Sequence, residues 1–208
     1  MSLRPLALAA VALGLCSCVV TSATVDEAPL AQPRVVSDFD TYRLRRVGVL
    51  PVLGGEYGEV NNDDLQAALH TEFTARGGFE VVLIGVDDLV GLEPMRAWSR
   101  GWYQPRTILE LARRHRLDAL LAGTVTARQA HPPQQLGMSV DLVASATGQT
   151  IWSSSVHLDS SEERTRASVQ DWAERSVGDV TDSTWEALLL SPRRFAQLAA
   201  RELARTLP

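Results

Sequence analysis

Asp38 and Asp40 stand two residues apart just before Thr41, a spacing at which one carboxylate can attack phosphorus while the other moves a proton. Such a pair has to be held at the end of an apolar strand, and no apolar strand precedes it here, so the segment reads as linker. The loop Gly54-Gly55-Glu56-Tyr57-Gly58 follows an apolar run and invites a phosphate-binding reading. It lacks both the Lys-Ser/Thr of a P-loop and the full G-x-G-x-x-G spacing, and Glu56 and Glu59 would repel a phosphate. It reads as a plain strand-to-helix loop. His70, His115, His131 and His157 are isolated from one another, and no H-E-x-x-H, G-x-S-x-G or Cys/His metal spacing occurs. The sequence therefore assigns no catalytic, cofactor-binding or metal-ligating residue.

The bulk properties narrow the partners. The chain has 208 residues, 45% hydrophobic and 22% charged, enough for one sizeable core in an ordinary globular domain. All 20 basic residues are Arg, and the net charge is −5. Binding to a phosphate backbone needs concentrated positive charge, so nucleic acid is not expected as a partner. The only cysteines are Cys16 and Cys18, which excludes a disulfide framework or a Cys-based metal site from the rest of the chain.

Those two cysteines close an N-terminal address. Arg4 gives a short positive region, and residues 6–15 form an apolar run shorter than the roughly 20 residues a membrane-spanning helix needs. The end of the run, Leu15-Cys16-Ser17-Cys18, resembles a bacterial lipobox, with an aliphatic residue at −3 and a small one at −1 before the lipidated cysteine. The resemblance implies cleavage after Ser17 and lipidation of Cys18, whereas Cys16 would put Leu15 at the small site. An ordinary secretory signal cut near Ala23 is the alternative. Several acyl chains on one residue anchor stably where a single chain is marginal. Val19 after the cysteine, in place of the Asp that retains enteric lipoproteins in the inner membrane, implies an outer-membrane address on the periplasmic face. Residues 1–17 are thus expected as signal peptide and 18–42 as a flexible lipidated tether, small, polar and Pro-containing without a sustained period.

From residue 43 the pattern is that of one α/β domain. Val47, Val49, Leu50 and Val52 read as a buried strand ended by Pro51. Asn61 or Asn62 caps a helix with Leu65, Ala68, Leu69 and Phe73 on one face, stopped by Gly77-Gly78. Residues 79–84 form a second strand. Pro105 opens a helix whose last turn holds Arg113, Arg114, His115 and Arg116, cations suited to a negative helix end. Residues 117–125 are a continuous apolar strand, and 126–137 read as a loop. Residues 138–145 and 150–158 alternate as two strands around a turn at Ala146-Thr147-Gly148-Gln149, with Trp152, Val156 and Leu158 inward. Helices are expected over 162–177 and from Ser191-Pro192 to the end, with Trp185 buried between them.

The segment 86–104 is irregular and rich in aromatic and Arg residues. Trp98, Arg100, Trp102, Tyr103 and Arg106 are the residue types that dominate interface energetics, so they are candidates for partner binding. They serve equally well as a cap on one end of the core.

Three motifs carry a wider resemblance: Val49-Leu50-Pro51 in the first strand, Asp118-Ala119-Leu120-Leu121-Ala122-Gly123 in the third, and Thr147-Gly148-Gln149-Thr150-Ile151-Trp152 in the hairpin. They resemble bacterial envelope lipoproteins related to the curli-secretion protein CsgG, the TolB amino-terminal domain and LpoB, an activator of peptidoglycan synthases. The resemblance covers roughly residues 45–158 and implies an α/β (α+β) fold, a three-layer-type sandwich with a mixed sheet of about five strands covered by helices. Segments 86–104 and 126–137 do not alternate as barrel strands of pore-forming relatives would, and 159–190 lies outside the pattern. Asp38-Phe39-Asp40-Thr41 is similar to the Asp-x-Asp-x-Thr of haloacid-dehalogenase-type phosphatases, but its Thr comes one residue early.

The expected function is a non-catalytic, lipid-anchored module that binds another envelope protein. A homo-oligomeric subunit of a CsgG-like export assembly and an envelope hydrolase are the alternatives. Replacing Cys18 with Ser should move the protein from the membrane to the soluble fraction while Cys16→Ser leaves it membrane-bound, as read by fractionation and immunoblotting. Retention of the Cys18→Ser protein on membranes would refute lipidation at that residue.

Overall fold

Val47 and Val49 are buried, and the strand that carries them lies inside the sheet, with a neighbour on each side. The computed structural model describes residues 28–54, 62–90, 98–99, 102–177 and 184–208. A six-stranded mixed sheet is built from β1 (Gln32–Val35), β2 (Arg46–Val49), β3 (Glu80–Leu83), β6 (Ala119–Gln129), β7 (Gln135–Ala144) and β8 (Thr150–Asp159), in the order β1-β8-β7-β6-β2-β3. A separate two-stranded ribbon pairs β4 (Trp98–Ser99) with β5 (Trp102–Tyr103). The helices are α1 (Asp63–Arg76), α2 (Pro105–His115), α3 (Glu163–Val177), α4 (Thr184–Leu189) and α5 (Pro192–Ala204).

β2 runs parallel to both neighbours, β3 and β6, as buried strands joined by helical crossovers do. Asp118 sets the β2–β6 register: its Oδ2 accepts the Arg45 and Arg46 N–H groups at 2.8 and 2.9 Å, and its own N–H donates to the Arg46 carbonyl. Gly48 on β2 is a packing glycine, because a Cβ there would fall 2.6 Å from Leu117 Cδ1. Pro51 stands where the regular ladder ends, and pairing resumes only as the Leu53–Thr124 bridge. The antiparallel half, β6-β7-β8, closes through a turn whose Gly148 adopts φ 69°, with its N–H on the Ala144 carbonyl at 2.8 Å.

Two apolar clusters divide the molecule. On one face, α1 and α5 pack over the sheet and bury Leu65, Phe73, Leu121, Val140, Trp152 and Leu198. On the other, α2 buries Ile108 and Leu111 against Leu50, Ile84, Leu120 and Ala122. The sandwich therefore has three layers over β3-β2-β6, where the strands are apolar on both sides. The mixed sheet agrees with expectation, but it has six strands.

The extra strand is β1. Its residues lie in the segment 18–42 that the sequence assigns to the tether, yet Gln32–Val35 pair antiparallel with β8. All four are exposed, so β1 has no apolar alternation by which to announce itself. Two further boundaries move. β6 continues to Gln129, across a register shift between Val125 and Ala127, through residues expected as loop. Asn62 precedes α1 without capping it: its Nδ2 donates to the Val52 and Gly54 carbonyls at 3.1 and 3.0 Å, and its Oδ1 accepts Arg128 Nη1 at 2.7 Å. Ser191 does cap α5, its hydroxyl accepting Arg194 N–H at 3.4 Å. Trp185 is half-buried, with the Arg166 guanidinium 5.4 Å from its ring centroid. The basic end of α2 has a partner besides the helix dipole, since Arg114 Nη1 donates to the Asp88 carbonyl and His115 Nε2 lies 3.2 Å from Asp88 Oδ1.

Trp152 joins the sheet to the C-terminal segment. It is fully buried, meets Phe73 edge-on with centroids 5.9 Å apart, and donates from Nε1 to the Thr206 carbonyl at 3.1 Å. Trp152→Ala should cost about 3–5 kcal/mol of stability, read as a lowered urea midpoint. At the end of β8, Asp159 starts α3: Oδ1 accepts the Ser161 hydroxyl at 2.6 Å and N–H at 2.8 Å, and Oδ2 accepts Gln135 Nε2 at 2.8 Å. The Ser161 hydroxyl, then its N–H, with Gln135 and His157 adding less, holds this carboxyl below its ordinary 3.8. A depressed carboxyl stabilises the fold above its unfolded value and loses that contribution as pH falls through the folded value. Wild type should therefore exceed Asp159→Ala in melting temperature at neutral pH, and the gap should shrink below pH 3.8.

Candidate functional site

β1, β8 and β7 carry a second face that α2 does not reach. Residues directly opposite one another in a sheet point to the same side, so the registers define rows across this face. One row is Gln32, Ser155, Ser139 and Thr124; the next is Arg34, Ser153, Asp141 and Ala122. Ala122 belongs to the α2 cluster, which places both rows on the α2 side of the sheet. Strand alternation produces the polarity: Leu136, Met138, Val140 and Leu142 face α5, leaving Ser139 and Asp141 for the opposite side. On β8 the same alternation presents Ser153, Ser155 and His157.

Two adjoining hollows lie on these rows and share Gln32, Ser139 and Ser155. The larger, about 500 Å³, extends to His157, Glu162, Arg164 and Thr165 at the start of α3. The smaller, about 290 Å³, extends to Arg34, Asp141 and Ser153. Across the two hollows Ser139 and Asp141 are buried, whereas Gln32, Arg34, His157 and Arg164 are exposed. The groove is thus hydroxyl-lined with charges of both signs. Its chemistry is that of hydrogen bonding to an extended polar ligand.

The position of β1, one wall of this groove, depends on Glu202. This carboxylate is 1% exposed; its Oε2 accepts the Leu30 N–H at 2.8 Å, and its Oε1 accepts the Ser168 hydroxyl at 3.4 Å and Arg205 Nη1 at 3.1 Å. Leu30, α3 and α5 are thereby held at one point beside the larger hollow.

Of the residues expected from sequence, Arg106 alone has a described side chain, and it does not line this groove. Cys18 and Arg100 lie outside the described residues, as do the side chains of Trp98, Trp102 and Tyr103. The backbone of the last three forms the β4–β5 ribbon, with Trp98 opposite Tyr103 and Ser99 opposite Trp102. Arg106 is exposed in the first turn of α2. Residues 55–61, which include most of the glycine-rich stretch, also lie outside the described residues. Of the groove residues, Ser139, Asp141, Ser153 and Ser155 are legible as the polar side of two alternating strands. Gln32 and Arg34 are not, because nothing in Gln-Pro-Arg-Val marks a strand. Among the described residues no three His, Cys, Asp or Glu side chains form a group that could hold a metal ion, and no helix is long and apolar enough to cross a membrane.

No protein-family model and no curated protein matches the chain. Among solved structures it is similar to the PelC dodecamer from Paraburkholderia phytofirmans, at 14% identity and TM-score 0.45, over 82% of this chain and 97% of that one. It is similar to the LpoB C-terminal domain from Salmonella enterica at 17% identity and TM-score 0.40, over 57% of this chain and 86% of that one. A lipoprotein from Neisseria meningitidis is similar at 17% identity and TM-score 0.38, over 65% of this chain and 99% of that one. LpoB is one of the three relatives that the sequence motifs resemble. At these identities and scores the likenesses assign neither a family nor a function.

Proposed function

We propose that this chain is a non-catalytic lipoprotein module, anchored through Cys18 at the periplasmic face of the outer membrane, that holds an extended polar segment of another envelope protein in the β1–β8–β7 groove. The observation that carries this reading is the place of the groove: it lies along β1, the strand fed directly by the N-terminal segment. Ten Cα-to-Cα steps separate Cys18 from Ala28, which at full extension reach about 36 Å. Glu202 grips the chain at Leu30, so the lipidated end cannot lengthen its reach without first breaking that contact. The groove is therefore confined to the neighbourhood of the bilayer, where a membrane-associated partner would present its own chain. Its mixed charge, with Arg34 and Arg164 set against Asp141 and Glu162, suits a peptide with both signs better than a uniformly charged polymer.

A photoreactive amino acid at Ser155 of the full-length protein, irradiated in intact cells, tests the reading. One dominant envelope-protein adduct is expected, strongly reduced by adding Arg34→Glu and Arg164→Glu. An adduct pattern at Ser155 no different from that of the same label on exposed Leu190 would overturn the proposal.

A further inference from the structure

The outer stripe of α2 does no work within the fold. The helix buries Thr107, Ile108 and Leu111 against the sheet. Arg106, Leu109, Arg113 and Arg116 follow one another at the three- and four-residue spacing of a single face, and that face points away from the sheet. All four are exposed, Leu109 at 54%. None of the three arginines has a hydrogen-bond or ion-pair partner among the described residues. Arg113 and Arg116 suit the negative end of the helix. Arg106 instead stands in the first turn, where a cation opposes the dipole and no acid offsets it. Residues 105–116 hold four arginines against one acid in a chain of net charge −5, and that acid, Glu110, lies 3.7 Å from Arg114 Nη2. The turn at Val86–Leu89 is tied to α2 by the Arg114 bond to the Asp88 carbonyl and adds one exposed acid, Asp87. It also leaves Val86, and Val90 just past it, 58% and 74% exposed.

We propose that this stripe docks on the anionic phospholipid surface to which the tether holds the domain, a step that rests on the anchor at Cys18 proposed above. Charge complementarity names the occupant. An unpaired guanidinium can donate two parallel N–H bonds to one phosphate, and three of them along one helix face meet a plane of phosphates. Leu109 among them is the kind of side chain that enters the boundary between headgroups and acyl chains. The tether permits this contact. α2 packs over β2 and β6, at most four strand spacings from β1, or about 19 Å, while the ten steps from Cys18 to Ala28 span about 36 Å. The helix therefore reaches the bilayer with Leu30 still held by Glu202. Docking also orients the groove. Its polar rows lie on the α2 side of the sheet, so a domain resting on α2 turns them toward the bilayer across a gap about as deep as one helix, roughly 10 Å. The chain that fills the groove is then the stretch of the partner next to its own membrane-embedded part.

An environment-sensitive fluorescent amino acid in place of Leu109 of the full-length protein reads the docking. With phosphatidylglycerol vesicles its emission should shift to shorter wavelength, and the shift should fall away in about 1 M salt, where the screening length is about 3 Å. Phosphatidylcholine vesicles should give no shift. Nor should the same label in place of exposed Leu190, next to Leu189 of the cluster on the other side of the sheet. Arg106→Glu with Arg113→Glu and Arg116→Glu should abolish the shift while the protein, held by its lipid, still floats with the vesicles. The milder pair Arg106→Gln and Arg116→Gln should weaken the shift and serves if the triple variant misfolds. No shift with phosphatidylglycerol, an equal shift on neutral vesicles or at position 190, or a shift that survives the triple variant would each overturn the proposal. Flotation reads the anchor and crosslinking from Ser155 reads the groove. Emission at position 109 reads the stripe even for protein that carries no lipid, so the three fail separately.

Discussion

The buried carboxylate of Glu202 sets where the chain enters the fold. A charge at 1% exposure is costly unless its oxygens are met, and here they are met by the Leu30 N–H, the Ser168 hydroxyl and the Arg205 guanidinium. Those donors come from the N-terminal segment, α3 and the residue just past α5, three parts of the chain far apart in sequence. Satisfying one carboxylate therefore docks the N-terminal segment against the helical layer. Once Leu30 is held, the next residues run along the edge of β8. β1 then forms by pairing Gln32–Val35 with Trp152 to Ser155, although none of its four residues is buried. The strand is held by its backbone and by the anchor before it.

The remaining architecture follows from which strands are apolar on both sides. The end of β2 and the first part of β6 are, because Val49 and Leu50, the residue just past β2, or Leu120 and Leu121, are neighbours in sequence and point to opposite faces. Helices must cover both faces there, and α2 is short enough to cover only that half. β7 and β8 alternate instead, so one face meets α5 through Leu142 and Trp152 while the other carries hydroxyls and Asp141. The groove is thus the complement of the core. Its polarity follows from the same alternation that places Trp152 beneath it.

Much of this was legible from residue types. Apolar runs located β2, β3 and β6, the Thr147-Gly148 turn located the β7–β8 hairpin, and the Leu65, Ala68, Leu69 and Phe73 stripe located the buried face of α1. Asp118 was visible only as part of a motif, and its work, accepting two backbone N–H groups of Arg45 and Arg46, needs a strand more than 70 residues away. Asn62 had the right type and place for a helix cap, but a better use of its amide existed across the loop, on the Val52 and Gly54 carbonyls.

The sequence by itself determined the core: the strands with their inward residues and the stripes of the helices. These depend on local spacing, which the chain carries along its own length. Only the tertiary structure decided the sixth strand and the wall it adds to the groove. Strand pairing is a relation between distant segments, and a strand with no buried side chain leaves no periodic trace of it in sequence.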